Sequence, residues 1–240
     1  MAEFVFSPQE RPSVAVSGRE ARFPVRRVFC VGRNYAAHAR EMGRDPDREP
    51  PFFFMKPADA VVDAGGEVPY PPETADLQYE GELVVAIGAA GRDVAVEAAV
   101  AHVWGYAIGI DLTRRDLQAA AKELGRPWDW GKGFDASAVC GPVHPVADVG
   151  DLGGARISLA VNGAVRQDAS LSDMIWSVPE IVSILSRSMA IRPGDLVYTG
   201  TPAGVGRIVP GDRVSVRIDG LGAIDVRIGG LASASGPEPG

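Results

Sequence analysis

Three acidic residues lie at the ends of two apolar runs of the sequence, where they could form a metal site. Glu80 and Glu82 are followed by the run 83–87, which does not alternate and so predicts a strand buried on both faces. Side chains two residues apart on a strand point to the same side, and Asp111 ends the run 103–111. Buried carboxylates need partners, and oxygen donors without histidine or thiol favour Mg²⁺ or Mn²⁺ over zinc. The alternative is a solvated strand end beside a helix-capping aspartate.

A histidine and a glutamate share one face of a predicted helix over residues 34–43. His38 and Glu41 are three residues apart, which is close enough for an imidazole–carboxylate pair. Such a pair fixes the tautomer of the histidine and raises its basicity, as a general base acting on water requires. The alternative is an exposed helix with an incidental ion pair, and an isolated His/Glu pair is more often incidental than catalytic.

Several cations and one amide accompany these acids. Lys132 follows two tryptophans, and partial burial there would let it orient a carbonyl or carboxylate group. Arg33 and Lys56 close strand-like runs, while Arg115 and Gln118 lie one turn apart on the helix predicted after Asp111. For each basic residue the alternative is a surface cation whose aliphatic carbons cover neighbouring apolar residues while its charge stays in water.

The segment GTPAGVG, residues 200–206, follows an apolar run. It lacks the Gly-Lys-Ser/Thr ending of a Walker loop, and Pro202 breaks the dinucleotide-binding pattern. Its backbone N–H groups and the Thr201 hydroxyl could cradle a substrate carboxylate. A plain turn is the alternative.

Strands are expected to dominate the fold. Strand-like runs separated by Gly, Pro and Asp occupy 25–32, 51–56, 66–71, 81–88, 103–111, 155–163, 195–200, 212–219 and 222–228. Helices are predicted at 34–43, 93–102 and 113–125 and from Ser177, where Glu180 completes a capping box. Because these helices do not alternate regularly with strands, we expect a β-rich α+β fold rather than a doubly wound one.

The composition narrows the class of protein. The 240 residues are 46% hydrophobic and 23% charged, with a net charge of −7, which disfavours a nucleic-acid partner. The first residues lack the apolar run of a signal peptide, and no later run could span a membrane. Cys30 and Cys140 are isolated in apolar settings, as in a reducing compartment. We therefore expect a cytoplasmic protein without a membrane partner.

Taken together and in order, these motifs resemble the fumarylacetoacetate hydrolase family. The resemblance is carried by VFCVGRNYAAHAREMG, PFFFMKPADAVV, YEGELVVAIG, GYAIGIDLTRRDLQ, GKGFD and GTPAGVG. It implies a mixed β-sandwich roll of the type of that family's C-terminal domain, usually assembled as a homodimer. The expected organisation is an N-terminal segment, 1–24, a catalytic domain, 25–228, and a flexible tail, 229–240.

The resemblance also implies roles for individual residues. Glu80, Glu82 and Asp111 would hold Mg²⁺ or Mn²⁺, and His38 with Glu41 would activate water. The family's active-site lysine and helix glutamine match Lys132 and Gln118, which would be catalytic. Its Gly-Thr-Pro threonine matches Thr201. Substrate binding would fall to this threonine and to the three cations Arg33, Lys56 and Arg115.

The implied activity is hydrolysis of a carbon–carbon bond in a 2,4-dioxo acid. Among family members the chain looks most similar to short bacterial acylpyruvate hydrolases of aromatic catabolism, so the first choice of substrate is fumarylpyruvate, cleaved to fumarate and pyruvate. These hydrolases often have His-His before the first metal glutamate, where this chain has Gln78-Tyr79. The alternative is therefore a decarboxylase or tautomerase of a 2-oxo acid, such as oxaloacetate or a 2-hydroxyhepta-2,4-dienedioate type of substrate, on the same metal site.

Overall fold

The computed structural model describes residues 4–36 and 49–231, and strands dominate this part of the chain. The strands are β1 (Ser13–Val16), β2 (Arg19–Pro24), β3 (Arg27–Gly32), β4 (Phe52–Lys56), β5 (Val61–Asp63), β6 (Glu67–Tyr70), β7 (Leu77–Tyr79), β8 (Gly81–Ile87), β9 (Val103–Asp111), β10 (Thr113–Arg114), β11 (Ala138–Cys140), β12 (His144–Pro145), β13 (Arg156–Val161), β14 (Ala164–Ser170), β15 (Asp195–Tyr198), β16 (Gly206–Arg207), β17 (Arg213–Ile218) and β18 (Gly222–Leu231). The α-helices are α1 (Arg115–Glu123), α2 (Asp129–Lys132), α3 (Val146–Val149) and α4 (Val178–Ser188). This confirms the predicted β-rich α+β class.

The largest sheet has the order β4-β3-β15-β8-β9-β11-β5, with β12 also paired to β9. At its centre β8 and β9 run antiparallel, with Gly81 opposite Ile110 and Glu82 opposite Gly109. All seven residues of β8 are buried, as the absence of alternation in this run predicts. The central strands are therefore rigid supports for whatever lies at their ends.

A different layer covers each face of this sheet. Leu83 of β8 packs in a core with Leu159 and Val216 of a five-stranded sheet ordered β14-β13-β17-β18-β6. Val84 points to the opposite face and packs with Val14 from the hairpin of β1 and β2. The predicted N-terminal segment thus contains a hairpin, whose buried Val14 and Val16 have the two-residue period of a strand.

The helices agree with the sequence at α1 and α4. Ser177 and Glu180 form the predicted capping box of α4, with the Ser177 N–H donating to Glu180 Oε2 at 2.9 Å. The segment predicted as a helix over 93–102 is instead a 3₁₀ helix, Val96–His102. Two further 3₁₀ turns are Ala58–Ala60 and Leu171–Asp173. None of the helices in the described ranges is long and apolar enough to cross a membrane.

Candidate metal centre and active site

The three acidic residues singled out in the sequence meet at one end of β8 and β9. Glu80 lies between β7 and β8, Glu82 is the second residue of β8, and Asp111 is the last residue of β9. The Asp111 N–H donates to the Glu80 carbonyl oxygen at 2.8 Å and so fixes the two strand ends side by side. One oxygen from each carboxylate lies within 4.8 Å of the others, and all three residues are buried. The strand pairing therefore produces the convergence that the spacing predicts.

Among the three carboxylates, Glu82 is the one whose negative charge is least compensated by the described residues. Its Oε2 accepts a hydrogen bond from the Gly200 N–H at 2.7 Å, and no ion pair among residues 4–36 and 49–231 includes it. Burial, and then the charges of Asp111 and Glu80, raise the pKa of Glu82 well above its usual range. A divalent cation would offset this excess of negative charge. The donor set consists of carboxylate oxygens, which fits Mg²⁺ or Mn²⁺.

Basic side chains hold the other two carboxylates in place. Lys132 Nζ donates to Glu80 Oε2 at 2.8 Å and to Asp111 Oδ2 at 2.9 Å. Burial disfavours the Lys132 ammonium, but Asp111 and Glu80 outweigh burial and raise the pKa of Lys132. Arg115 contacts Glu80 Oε1 at 2.5 Å. Lys132 thus remains a cation in the centre of the site.

Lys56 supports the same group from behind. Its Nζ lies 2.8 Å from Asp111 Oδ1 and donates to the carbonyl oxygens of Leu112 and Lys132 at 3.0 and 2.5 Å. Lys56 is buried and is not among the residues that line the cavity described below. This position favours a supporting role for Lys56 over the substrate contact expected from the sequence.

We expect Lys56→Met to lower the free energy of unfolding of the metal-free protein by about 3 kcal/mol or more, because it leaves Asp111 buried with one cation fewer. Urea unfolding in chelator measures this change. Arg92→Met, at an exposed arginine, is the control and should change the free energy of unfolding by no more than about 0.5 kcal/mol. Equal losses in the two variants would contradict the supporting role of Lys56.

A cavity of ≈ 390 Å³ opens over Glu80 and Glu82. This volume lies within the usual range for small-molecule sites. Its other polar lining comes from Arg33, Arg115, Gln118, Lys122, Lys132 and Thr201. The cavity therefore combines an acidic floor with a strongly basic wall, which suits an anionic substrate bound through a metal.

Arg115 and Gln118 act as a pair on the first turns of α1. The Arg115 guanidinium donates to the side-chain oxygens of Gln78 at 2.8 Å, of Gln118 at 2.7 Å and of Glu80 at 2.5 Å. Gln118 is buried and faces the cavity. Arg115 thus fixes both a carboxylate of the metal group and the predicted catalytic amide.

The Gly-Thr-Pro loop after β15 holds the metal group as well as lining the cavity. Gly200 has a φ of +95°, and a Cβ added there would lie 2.8 Å from the Cβ of Asn34, so the loop requires glycine. The Thr201 hydroxyl donates to the Gly81 carbonyl oxygen at 2.9 Å and accepts from Gln167 Nε2 at 2.8 Å. The cradle expected for a substrate carboxylate therefore holds Glu82 and the start of β8.

His38 and Glu41, the predicted water-activating pair, lie outside the described residues. Arg33, shortly before them, lines the cavity and has a φ of +61°, a conformation that is uncommon for a residue with a long side chain. Three residues of the site were not predicted from the sequence: Lys122 and Trp128, which line the cavity, and Gln167, which supports Thr201. Lys122 follows Gln118 by four residues, so the helical period could have placed it on the cavity face of α1.

Comparisons with known proteins agree with this geometry. The family model described as fumarylacetoacetate (FAA) hydrolase C-terminal matches residues 27–229. A crystal structure of fumarylpyruvate hydrolase from Pseudomonas aeruginosa in complex with Mn²⁺ and pyruvate has a TM-score of 0.93 and 55% sequence identity, covering 96% of this chain and 100% of that one. The fumarylpyruvate hydrolase of a Ralstonia species is 44% identical over 190 residues, which are 78% of this chain and 98% of the relative. A mitochondrial oxaloacetate tautomerase of Schizosaccharomyces pombe is 41% identical over 196 residues, 80% of this chain and 88% of the relative.

Proposed function

The chain belongs to the fumarylacetoacetate hydrolase family, and from this premise we propose that it is a metal-dependent hydrolase that cleaves the carbon–carbon bond of an acylpyruvate. The best substrate is fumarylpyruvate, which would give fumarate and pyruvate. The observation that carries the proposal is the convergence of Glu80, Glu82 and Asp111 beside a cavity with a basic wall. Two fumarylpyruvate hydrolases among the similar proteins support the choice of substrate.

The three carboxylates would hold Mg²⁺ or Mn²⁺, which as a Lewis acid would polarise the substrate's 2-oxo group and stabilise the charge that develops on the departing pyruvate. Each remaining step falls to a side chain of the protein. His38, oriented by Glu41, removes a proton from water so that the water attacks the distal carbonyl carbon. Lys132 and Gln118 stabilise the oxyanion that this attack creates. Arg33 would position the substrate directly. Arg115 and Thr201 would do so indirectly, because Arg115 holds Glu80 and Gln118 and Thr201 holds the Gly81 carbonyl group.

Pyruvate release from fumarylpyruvate, acetylpyruvate and oxaloacetate tests the proposal. We expect the metal-loaded protein to hydrolyse both acylpyruvates faster than it releases pyruvate from oxaloacetate. Chelator should abolish hydrolysis, and added Mn²⁺ should restore it, because a divalent cation on the three carboxylates would stabilise the charge that develops on the departing pyruvate. Hydrolysis that continues in chelator would contradict the metal-dependent mechanism.

Tautomerisation or decarboxylation of oxaloacetate is the second candidate. Tyr79 stands where acylpyruvate hydrolases often have histidine; it is buried, and its hydroxyl donates to the Gly204 carbonyl oxygen at 3.0 Å. The Tyr79 hydroxyl is thus directed at the backbone of the 200–206 segment, and Tyr79 is not among the residues that line the cavity. The similarity to an oxaloacetate tautomerase also favours this candidate. Rates with oxaloacetate that exceed those with both acylpyruvates would establish it in place of hydrolysis.

The proposal includes the homodimer, the cytoplasmic location and the role in aromatic catabolism that were predicted from the sequence. Sedimentation of the purified protein would test the dimer directly.

A further inference from the structure

One face of α1 lines the cavity over two turns. Arg115, Gln118 and Lys122 are spaced by three and four residues and therefore share this face. Arg115 is anchored at the metal group through Glu80, whereas Lys122 is seven residues further on, about 10 Å along the helix axis. This face of α1 thus contributes one basic residue at the metal group and another two turns away from it.

The distance suits a dicarboxylic substrate. The carboxyl carbons of a seven-carbon dioxo diacid such as fumarylpyruvate are separated by six bonds, and an extended chain of that length spans about 7 Å. Long side chains on a helix point back towards its N-terminus, which brings the Lys122 ammonium nearer to the metal group than its Cα atom. A substrate with its pyruvoyl end at Glu80 and Glu82 would therefore place its far carboxylate close to Lys122.

Two aromatic rings, those of Trp128 and Phe52, support Lys122 at this position. Lys122 Nζ lies 4.9 Å from the centroid of the Trp128 ring. The Trp128 ring meets the Phe52 ring edge-on at 5.0 Å, and the Arg33 guanidinium lies 5.2 Å from the Phe52 ring centroid. Two cations that line the cavity are thus supported by one pair of rings in edge-to-face contact.

Lys122 has no carboxylate partner within the described part of the chain. None of the ion pairs there includes it, and the positive groups around it outnumber the negative ones. Burial of its ammonium against the cavity wall, and then the charges of Arg115 and Arg33, lower the pKa of Lys122 to about 8; Glu80 raises it and Lys132 lowers it further. An anion bound beside Lys122 would relieve this repulsion.

We propose that Lys122 binds the distal carboxylate of the acyl group and so determines that the site prefers acylpyruvates with a second carboxylate. The inference rests on the proposed function and deepens it. Lys122 contacts a part of the substrate that takes no part in bond cleavage, so it selects the substrate and does not activate it. It would act mainly on KM, because a contact made equally in the ground state and the transition state lowers KM without raising kcat.

Kinetics with a matched pair of substrates tests this role. In Lys122→Met, the ratio of kcat/KM for fumarylpyruvate to that for acetylpyruvate should fall about tenfold, ~1.4 kcal/mol, mostly through a higher KM for fumarylpyruvate. Lys122→Arg keeps the charge and should retain most of the preference. An unchanged ratio in Lys122→Met, in a protein whose wild type hydrolyses both acids, overturns the inference and leaves the proposed function intact.

Calorimetry provides a readout that does not depend on turnover. The Mn²⁺-loaded wild type should bind fumarate more tightly than crotonate, which has the same shape but one carboxylate fewer. In Lys122→Met, the ratio of the affinity for fumarate to the affinity for crotonate should fall about tenfold. The wild-type preference should also decline as the pH rises through about 8, where Lys122 loses its charge, and should persist in Lys122→Arg.

The two proposals can fail separately. If the wild type hydrolyses neither acylpyruvate, the proposed function is wrong, and the comparison of fumarate with crotonate alone then decides the role of Lys122. A preference for fumarate that is the same in wild type and in Lys122→Met overturns the inference whatever the reaction is.

Discussion

Glu82→Gln should abolish Mn²⁺ binding and lower kcat/KM for acylpyruvate hydrolysis by about 10³-fold or more. Glu82 is the carboxylate of the group that forms no ion pair with a basic side chain of the described residues, so its charge depends most on the metal. The amide of glutamine keeps the shape of the side chain and can accept the hydrogen bond from the Gly200 N–H, but it removes the charge. Loss of Lewis-acid stabilisation of the departing pyruvate costs several kcal/mol of barrier height, which corresponds to this factor. Titration calorimetry with Mn²⁺, together with the hydrolysis assay, measures both effects.

The same experiment separates a metal site from a structural ion-pair network. If Lys132, Arg115 and Lys56 were the permanent partners of the carboxylates, the wild type would give no heat with Mn²⁺. Burial and neighbouring charges disfavour the ionised form of Glu82, so Glu82→Gln should not destabilise the metal-free protein. Glu123→Gln, at an exposed position on α1, is the matched control and should bind Mn²⁺ as the wild type does. Equal Mn²⁺ heats from wild type and Glu82→Gln would remove Glu82 from the metal site.

The sequence was informative where local periodicity controls the geometry. Glu80 and Glu82 lie beside Asp111 because β8 and β9 are consecutive long strands, and such strands commonly pair antiparallel. The two-sided burial of β8 could be predicted because its apolar run does not alternate. The capping box of α4 is also a local signal, since Ser177 and Glu180 satisfy each other within one turn.

Residues whose roles depend on distant pairing could not be placed in this way. Lys56 and Arg33 both close strand-like runs, yet Lys56 is buried behind Asp111 whereas Arg33 lines the cavity. Gln167 supports the Gly-Thr-Pro loop from β14, a strand of the other large sheet, and nothing in its sequence neighbourhood indicates that contact. These positions depend on how two sheets pack, which is a property of the whole chain.

His38→Ala should lower acylpyruvate hydrolysis by about 10²- to 10⁴-fold while leaving Mn²⁺ binding intact. Cleavage by hydrolysis requires a water molecule to lose a proton as it attacks, and His38 is the predicted general base for that step. Decarboxylation of oxaloacetate requires no attacking water, so the same variant should lose much less of that activity. Parallel assays of pyruvate release from fumarylpyruvate and from oxaloacetate measure the two effects in one protein.

The contrast between the two substrates assigns the role of His38 more sharply than the loss of hydrolysis alone. His102→Ala is the control, because His102 does not line the cavity and its Nδ1 lies 3.3 Å from the Ala89 carbonyl oxygen; this variant should hydrolyse fumarylpyruvate at nearly the wild-type rate. If His38→Ala lost both activities equally, His38 would transfer a proton common to both reactions instead of activating water. Near-normal hydrolysis in His38→Ala would show that a group other than His38 is the general base. Only a selective loss of hydrolysis fits a site in which the metal that the three carboxylates would hold stabilises the departing pyruvate and a separate base activates the water.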